Sequence, residues 1–332
     1  MEIQVLGGLS LENFADEKDD AKNSANQEAI HIQKKLYDLG YTAGVQLRVG
    51  HDFTNKEDIG TLRQRVIDLR IPFIVHGAAE NLGVDLGECY DENNIFSKYQ
   101  KQNPEKTWEE FNLAALRNAG IIARDNPQLL DKKVIIHSGY ALRDKIEEGE
   151  ARTSTTLRKL GDISFNLETV PEIAGEGLFF GLGGNVASMK SLLGSREGLD
   201  VLIDFTHVLI SANQKQPSNP EYFLRLLSDF LNLYPSNFTH FSGLTDKLQD
   251  EHRGFLEDNP AAGDLPRRCI IKDALTELSR RYSRTGREVY VALEMRFANK
   301  KSNDEPNPVK KQTIALDFSR KQIDVFRKQY CR

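Results

Sequence analysis

Cysteine is scarce in this sequence of 332 residues, and so are apolar runs long enough to cross a membrane. The three cysteines, Cys89, Cys269 and Cys331, are far apart and show no CxxC spacing, so we expect reduced thiols in a cytoplasmic protein. Cys331 lies next to the C-terminal residue, where we expect it to be exposed. No run approaches the roughly 18 apolar residues that a spanning helix requires. The first residues also lack the basic and apolar regions of a signal peptide, so we expect neither a secreted nor a membrane-spanning protein.

A global excess of positive charge is also absent, since the formal net charge is −5. This charge gives no general signature of nucleic-acid binding, although a locally basic face can exist within an acidic protein. Hydrophobic content of 39% and charged content of 28% are typical of a globular chain. The length fits one large domain or two ordinary ones.

Short apolar runs alternate with longer amphipathic stretches, without an internal repeat. The runs predict eight strands, at 3–6, 43–48, 72–76, 133–137, 163–168, 200–204, 238–242 and 289–294. The stretches between them predict eight helices, at 17–39, 56–70, 107–125, 141–160, 184–196, 220–233, 270–285 and 317–329. Asn219 with Pro220 is a typical start for the sixth helix, and Asp317 or Ser319 for the last. The alternation predicts an α/β fold, a (β/α)8 TIM barrel formed as a single domain by residues 1–332.

Histidine is scarce as well, at seven residues, and four of the seven end an apolar run or follow one closely. Carboxylates end further runs, where burial is unfavourable unless the group is paired or bound to metal. Any one of these residues alone is compatible with a structural role. Together they indicate a ring of ligands, because only a closed barrel brings so many consecutive strand ends together. The candidate metal ligands are His76, His137, Glu168, Asp204, His207, His240, Asp250, His252 and Glu294.

The size of this set predicts more than one ion. Catalytic zinc usually takes about three protein ligands and a water molecule, so nine ligands suit two or three ions with a bridging carboxylate. Three divalent ions against four carboxylates would leave the site net positive, which suits a phosphate and a water activated for attack. A single ion would leave the site strongly negative, which is more suitable for a neutral polyol.

The order of these ligands resembles that of the endonuclease IV family of apurinic/apyrimidinic endonucleases, which belongs to the xylose-isomerase-like barrels. The resemblance covers about residues 70–295 and includes the segments VHGAAENLG, IIHSG, NLET, DFTH, THFSGLTDK and DEH. It implies hydrolysis of the DNA backbone at abasic or damaged sites by hydroxide that the metal cluster supplies. Zinc is the first candidate for the histidine-rich set, with manganese or iron as alternatives.

The resemblance also implies a role for each ligand. His76 and His137 would hold one ion, and Glu168 would bridge it to a second and orient the attacking hydroxide. Asp204, His240 and Glu294 would complete the second ion's ligands. His207, Asp250 and His252 would hold the third ion.

The chain departs from the family at the positions that would contact DNA. The segment after the first histidine, residues 77–82, lacks the family's aromatic wedge and carries Glu80, which disfavours penetration of the DNA. Arg48, His51 and Phe53 are weak substitutes for the basic, aromatic loop after the second strand. Long segments at 77–106, 241–265 and 295–316 are predicted to lie on the functional face. Within them, the candidate phosphate contacts are Arg253, Lys300, Lys301, Lys310 and Lys311.

Two other functions remain open at this point. A sugar or hydroxy-acid isomerase on the same barrel would use a small sugar as substrate and one or two ions, with fewer histidines. A non-catalytic interaction protein that kept the barrel is the weakest hypothesis, because buried histidines and carboxylates destabilise a protein that binds no metal.

Overall fold

A computed structural model describes residues 3–15, 20–50, 59–77, 85–87, 101, 103–174, 178–233, 235–244, 250–253, 265–294, 305 and 307–331. The described strands, β1 to β13 in chain order, are Ile3–Ser10, Gly44–Val49, Phe73–Gly77, Val134–His137, Tyr140–Leu142, Phe165–Glu168, Ile173–Ala174, Phe179–Gly181, Leu199–Asp204, Pro235–Phe241, Gly243–Leu244, Asp250–Arg253 and Val289–Leu293.

Helices separate most of these strands. The described α-helices, α1 to α9 in chain order, are Asp20–Asp38, Ile59–Asp68, Trp108–Ile122, Ile146–Lys159, Val186–Leu193, Phe205–Lys215, Pro220–Leu231, Leu265–Ser283 and Pro308–Phe326. A short 3-10 helix at Leu11–Phe14 follows β1, and a π-helical turn at Arg327–Cys331 follows α9. None of the described helices is long and apolar enough to cross a membrane.

Eight parallel strands close into a barrel in the order β1-β13-β10-β9-β6-β4-β3-β2. The predicted (β/α)8 TIM barrel is therefore confirmed, and each of the eight predicted strands coincides with a barrel strand to within a few residues. The prediction succeeds because parallel strands are covered on both faces and appear in the sequence as nearly continuous apolar runs.

Apolar layers cover both faces of the barrel wall, one on the outside and one on the inside. Outward-facing strand residues pack with the helices in the main core cluster, as Val75 and Ile136 do. The barrel interior holds a smaller cluster, which consists of Leu6, Ile74, Ile135, Leu202, Phe238 and Ala292. Because side chains alternate along a strand, the residue two places beyond each of these also points into the barrel, closer to the C-terminal mouth.

Several helix predictions need correction. The last helix begins at Pro308, capped by Asn307, whereas Ser319 lies buried inside the helix and donates to the Ala315 carbonyl. Predicted segment 295–316 therefore includes the first turns of α9. Helix 270–285 begins at Leu265, and predicted helix 141–160 begins only at Ile146. The sixth prediction is confirmed, since Asn219 caps α7 and Pro220 occupies its first turn.

Helix α6 was not predicted at all. Phe205 to Ala212 are all buried, so this stretch shows no amphipathic period that would distinguish a helix. The prediction of eight helices consequently missed that two helices, α6 and α7, connect β9 to β10.

Two small sheets stand beyond the C-terminal ends of the barrel strands. β5, which follows β4 closely, pairs with β8, and β8 also pairs with β7, which follows β6. β11 and β12 form an antiparallel pair directly after β10. The predicted segment 241–265 therefore contains regular structure, and both sheets lie on the side of the barrel where the strands end.

Cys331 also departs from the sequence-based expectation. It is only partly exposed and packs against the main core cluster, because the π-helical turn carries the chain end back onto the barrel. Burial raises the pKa of its thiol to about 11. Cys269 is exposed, and Cys89 lies outside the described residues.

Candidate metal centre

A ring of mostly polar residues forms the last interior layer at the mouth of the barrel. Each of the eight strands contributes one residue, two places beyond an interior residue of the layer below. In chain order the members of this mouth ring are Gly8, Arg48, His76, His137, Glu168, Asp204, His240 and Glu294. Six of the eight are candidate ligands, so the barrel brings them together as the sequence predicted it would.

Glu168 lies at the centre of the ring and is completely buried. Its Oε2 is 3.0 Å from His76 Nε2 and 3.4 Å from His137 Nε2. Its Oε1 is 3.0 Å from His240 Nδ1 and 3.6 Å from His207 Nδ1. The two oxygens of one carboxylate therefore face two different pairs of imidazoles.

The donor atoms form overlapping groups in which all atoms lie within 4.8 Å of one another. One group is His76, His137 and Glu168; a second is Glu168, Asp204, His240 and Glu294; a third is His76, His240 and Glu294. Ligand bonds of about 2.0–2.1 Å place neighbouring donor atoms of a tetrahedral ion about 3.3 Å apart. The separations around Glu168 have this size, and these groups could hold metal ions.

His76 has the hydrogen bonding of a metal ligand. Its Nδ1 donates to the Gly77 carbonyl, which leaves Nε2 without a proton in the neutral ring. Burial lowers the pKa of His76, and the raising effect of Glu168 does not compensate, so the neutral ring is favoured. A lone pair on Nε2 then faces a carboxylate oxygen at 3.0 Å, an arrangement that a cation between the two atoms would make favourable.

His240 is completely buried and stacks against His76, with ring centroids 5.4 Å apart. Its Nδ1 lies 3.0 Å from Glu168 Oε1, but neither ring nitrogen has the geometry of a hydrogen bond to the described residues. Burial alone would lower the pKa of His240, but Glu168 and Glu294 raise it above its usual value. Buried polar atoms without well-directed hydrogen bonds are rare and require an explanation such as a bound ion.

Glu168 remains ionised in this environment. Burial alone would raise its pKa, but His240 and His137 outweigh burial and hold the pKa of Glu168 well below its usual range. A permanently charged carboxylate among imidazoles is a suitable shared ligand for two cations.

Asp204 ends β9 and also caps α6. Its Oδ1 accepts hydrogen bonds from the backbone N–H groups of Thr206 and His207, at 2.6 and 3.0 Å, so the carboxylate orientation is fixed. His207 lies one turn into the helix, and its Nδ1 donates to the Thr169 carbonyl at 2.7 Å. The DFTH segment thus brings His207 to the mouth through a helical turn.

Glu294 follows β13 and is held by two side chains of β2. Its Oε1 accepts from Arg48 Nη2 at 2.9 Å and from Gln46 Nε2 at 3.0 Å. Burial alone would raise the pKa of Glu294, but His240 and Arg48 hold it below its usual range. This contact was not predicted, although Gln46 and Arg48 are polar residues at alternate positions of a predicted strand, which places both on one face.

For most of the remaining candidates the structure does not describe the side chain. Asp250, His252 and Arg253 belong to β12, whose backbone stands beside β11, but their side chains are outside the described part of the chain. Lys300, Lys301 and Glu80 are also outside it, as are His51 and Phe53. Lys310 and Lys311 lie in the first turn of α9.

Lys311 forms an ion pair in the described structure. Its Nζ is 2.9 Å from Glu28 on α1, so the ion pair joins two outer helices.

Comparison with known proteins supports the fold. No protein-family model and no curated protein matches this chain. A D-allulose 3-epimerase from Methylomonas sp. in complex with D-allulose is similar in structure, with 12% identity, 99% of this chain and 98% of that chain covered, and a TM-score of 0.51. A fusion of a xylose isomerase-like TIM barrel with 4-hydroxyphenylpyruvate dioxygenase has 13% identity, 98% and 43% coverage, and a TM-score of 0.50.

Endonuclease IV from Thermus thermophilus is also among the similar structures, with 15% identity, 97% of this chain and 99% of that chain covered, and a TM-score of 0.49. At these identities, structural similarity concerns the barrel itself. It does not distinguish an endonuclease from a sugar epimerase, so that decision depends on the chemistry of the mouth ring.

Proposed function

We propose that this protein is a metal-dependent phosphodiesterase that resembles endonuclease IV and hydrolyses the DNA backbone at abasic or damaged sites. The observation that supports the proposal best is the shared carboxylate of Glu168. It belongs to two donor groups, with Oε2 facing His76 and His137 and Oε1 facing His240. Two ions joined by one carboxylate are typical of enzymes that displace a group at phosphorus.

The donor groups divide between two ions in this proposal. His76, His137 and Glu168 would hold the first ion, and Glu168, Asp204, His240 and Glu294 the second. His207 with Asp250 and His252 would hold a third. Zinc fits the histidine-rich first group, and manganese or iron are the alternatives. Bound divalent ions would lower the pKa of water to supply the nucleophile and would neutralise charge on the phosphate.

The chain's own residues would keep the donors in fixed positions. The Gly77 carbonyl orients His76, the α6 backbone orients Asp204, and Gln46 with Arg48 orients Glu294. Such support preserves the geometry of the ligands without a change of conformation during the reaction. Three carboxylates, Glu168, Asp204 and Glu294, against two divalent ions would leave the described part of the ring positive, which favours an anionic substrate.

One observation favours the alternative, a sugar or hydroxy-acid isomerase or epimerase. Glu168, Asp204, His240 and Glu294 form a complete four-residue group, which is sufficient for one ion. His76 and His137 would then need another role. Their nitrogens lie 3.0 and 3.4 Å from Glu168 Oε2, so we favour a second ion there.

The experiment is a cleavage assay on metal-replete protein with a duplex oligonucleotide that contains one abasic site. We expect strand cleavage at that site, loss of cleavage after chelation, and little cleavage of the matched duplex without the lesion. The same preparation is tested for epimerisation of a ketose. Ketose turnover without cleavage would overturn the proposed function in favour of the alternative.

A further inference from the structure

We propose that Arg48 binds the phosphate group of the substrate beside the metal centre. This inference depends on the proposed function in one respect, since it assumes an anionic substrate at metal ions held by the mouth ring. The sequence offered Arg48 only as a weak substitute for a basic loop, and the inference gives it a specific role at the mouth ring.

Arg48 occupies the β2 position of the mouth ring. Its Cα is in register with His76 on β3 and with Ser10 on β1, so it lies next to a candidate ligand of the first ion. Its side chain reaches the candidate ligand of the second ion, with Nη2 2.9 Å from Glu294 Oε1. Arg48 therefore lies beside a member of each of the two donor groups.

Gly8 is the β1 member of the mouth ring and lies between β2 and β13. It pairs with Gln46, and the β1–β13 register places Glu294 at the corresponding position on the other side. With no side chain at Gly8, the side chains of Gln46 and Glu294 meet across β1, with a 3.0 Å hydrogen bond between them. Gly8 is itself exposed.

The exposure of Arg48 fits a substrate contact better than a purely internal ion pair. Its side chain is 37% exposed, whereas that of Glu294 is 6% exposed. A guanidinium carries five N–H donors in a planar fork that matches a phosphate group, and the contact with Glu294 uses Nη2. Arg48 is also the member of the mouth ring that stays positively charged at every working pH.

Gln46 has a supporting position. It is 4% exposed, and its Oε1 has no hydrogen-bond partner among the described residues, while its Nε2 holds Glu294. Gln46 can therefore keep Glu294 in place when Arg48 turns toward a substrate. This predicts that loss of Arg48 weakens anion binding without loss of metal.

The test uses the metal-loaded full chain and inorganic phosphate as the probe. Phosphate affinity is measured by isothermal titration calorimetry, and metal content by mass spectrometry, for wild type, Arg48→Ala, Arg48→Lys and Arg117→Ala. Arg117 is the control because it is exposed on α3, away from the mouth ring. We expect Arg48→Ala to weaken phosphate binding by about tenfold or more, as expected for a hydrogen bond to a charged group.

Arg48→Lys should recover part of the affinity, and Arg117→Ala should resemble wild type. Unchanged phosphate affinity in Arg48→Ala with full metal content would overturn the proposal. Loss of metal from both Arg48 variants would also overturn it, since Arg48 would then serve only Glu294. If wild type binds phosphate through Arg48 but does not cleave abasic DNA, the proposed function fails while this inference stands.

The kinetic readout on abasic DNA gives a second criterion. An arginine that binds the phosphate similarly in substrate and transition state should raise KM more than it lowers kcat. A loss confined to kcat with an unchanged KM would contradict a binding role.

Discussion

Glu168 carries more of the candidate site than any other single residue of the mouth ring. It is buried without a hydrogen bond to Oε1, and both of its oxygens lie close to imidazole nitrogens. A neutral amide at this position would keep the size of the side chain but could not serve two cations. We therefore expect Glu168→Gln to lose bound metal and cleavage activity.

The predicted loss of activity exceeds about 100-fold, the upper range for loss of a group that only supports a ligand. Glu172→Gln is the matched control. Glu172 is also buried, but it pairs with Lys215 at 2.8 Å and accepts from Asn185 at 3.2 Å. The two variants should differ in metal content, which mass spectrometry measures, and in the rate of cleavage. Equal metal content in both would contradict a ligand role for Glu168.

The cysteines give a prediction that does not depend on metal. With a pKa of about 11, Cys331 would be thiolate in only about one molecule in a thousand at pH 8, and burial limits access further. In a Cys89→Ser background, a thiol reagent should therefore modify exposed Cys269 much faster than Cys331. Similar rates at pH 8 would contradict the packing of the last turn against the core.

At the level of secondary structure, Asp204 combines two roles: it caps helix α6, and it is a candidate metal ligand. Asparagine at this position keeps an oxygen for the N–H groups of Thr206 and His207 but removes the negative charge. Alanine removes both functions. In metal-free protein, Asp204→Ala should therefore be about 1 kcal/mol less stable than Asp204→Asn.

Both Asp204 variants should contain less metal than wild type. Asn219→Ala is the control, because Asn219 caps α7 and has no ligand role; it should lose about 1 kcal/mol with full metal content. Urea unfolding and metal analysis check each variant. Full metal content in Asp204→Asn would contradict the ligand role, and equal stability of the two Asp204 variants would contradict the capping role.

Helices also show why part of the fold was not predictable. The barrel strands were predicted because most are rich in apolar residues, and six of them end in or next to a candidate ligand. Helix α6 was missed because it is buried on nearly all sides, which removes the 3.6-residue period. The start of α9 was missed because its first turns are polar and exposed, and Val309 there is 72% exposed.

For the whole molecule, the sequence predicted the barrel and the convergence of six candidate ligands, since strand ends meet at one face. It could not predict that Arg48 and Gln46 reach Glu294 across Gly8. That contact requires the closure of β1 between β13 and β2, which joins residues 248 positions apart. Separation of this kind leaves no local pattern in the sequence.

Metal removal should affect the stability of the whole barrel. Without cations, Glu168, Asp204 and Glu294 place three carboxylates within a few ångströms, and binding to the native state alone stabilises it. At a free metal concentration of about 100 times Kd, each site would contribute about 2.7 kcal/mol. Thermal unfolding should therefore shift to lower temperature after chelation and recover with zinc. Unchanged unfolding in both conditions would contradict a metal centre in the mouth ring.

The most direct test of the central claim is anomalous diffraction at the metal absorption edge from crystals of the metal-loaded protein. We predict two peaks on opposite sides of the Glu168 carboxylate, about 3.5–4 Å apart as in two-metal phosphodiesterases. One peak would lie beside His76 and His137, and the other beside Asp204, His240 and Glu294. A single peak among Glu168, Asp204, His240 and Glu294, with His76 and His137 not bound to metal, would contradict the claim.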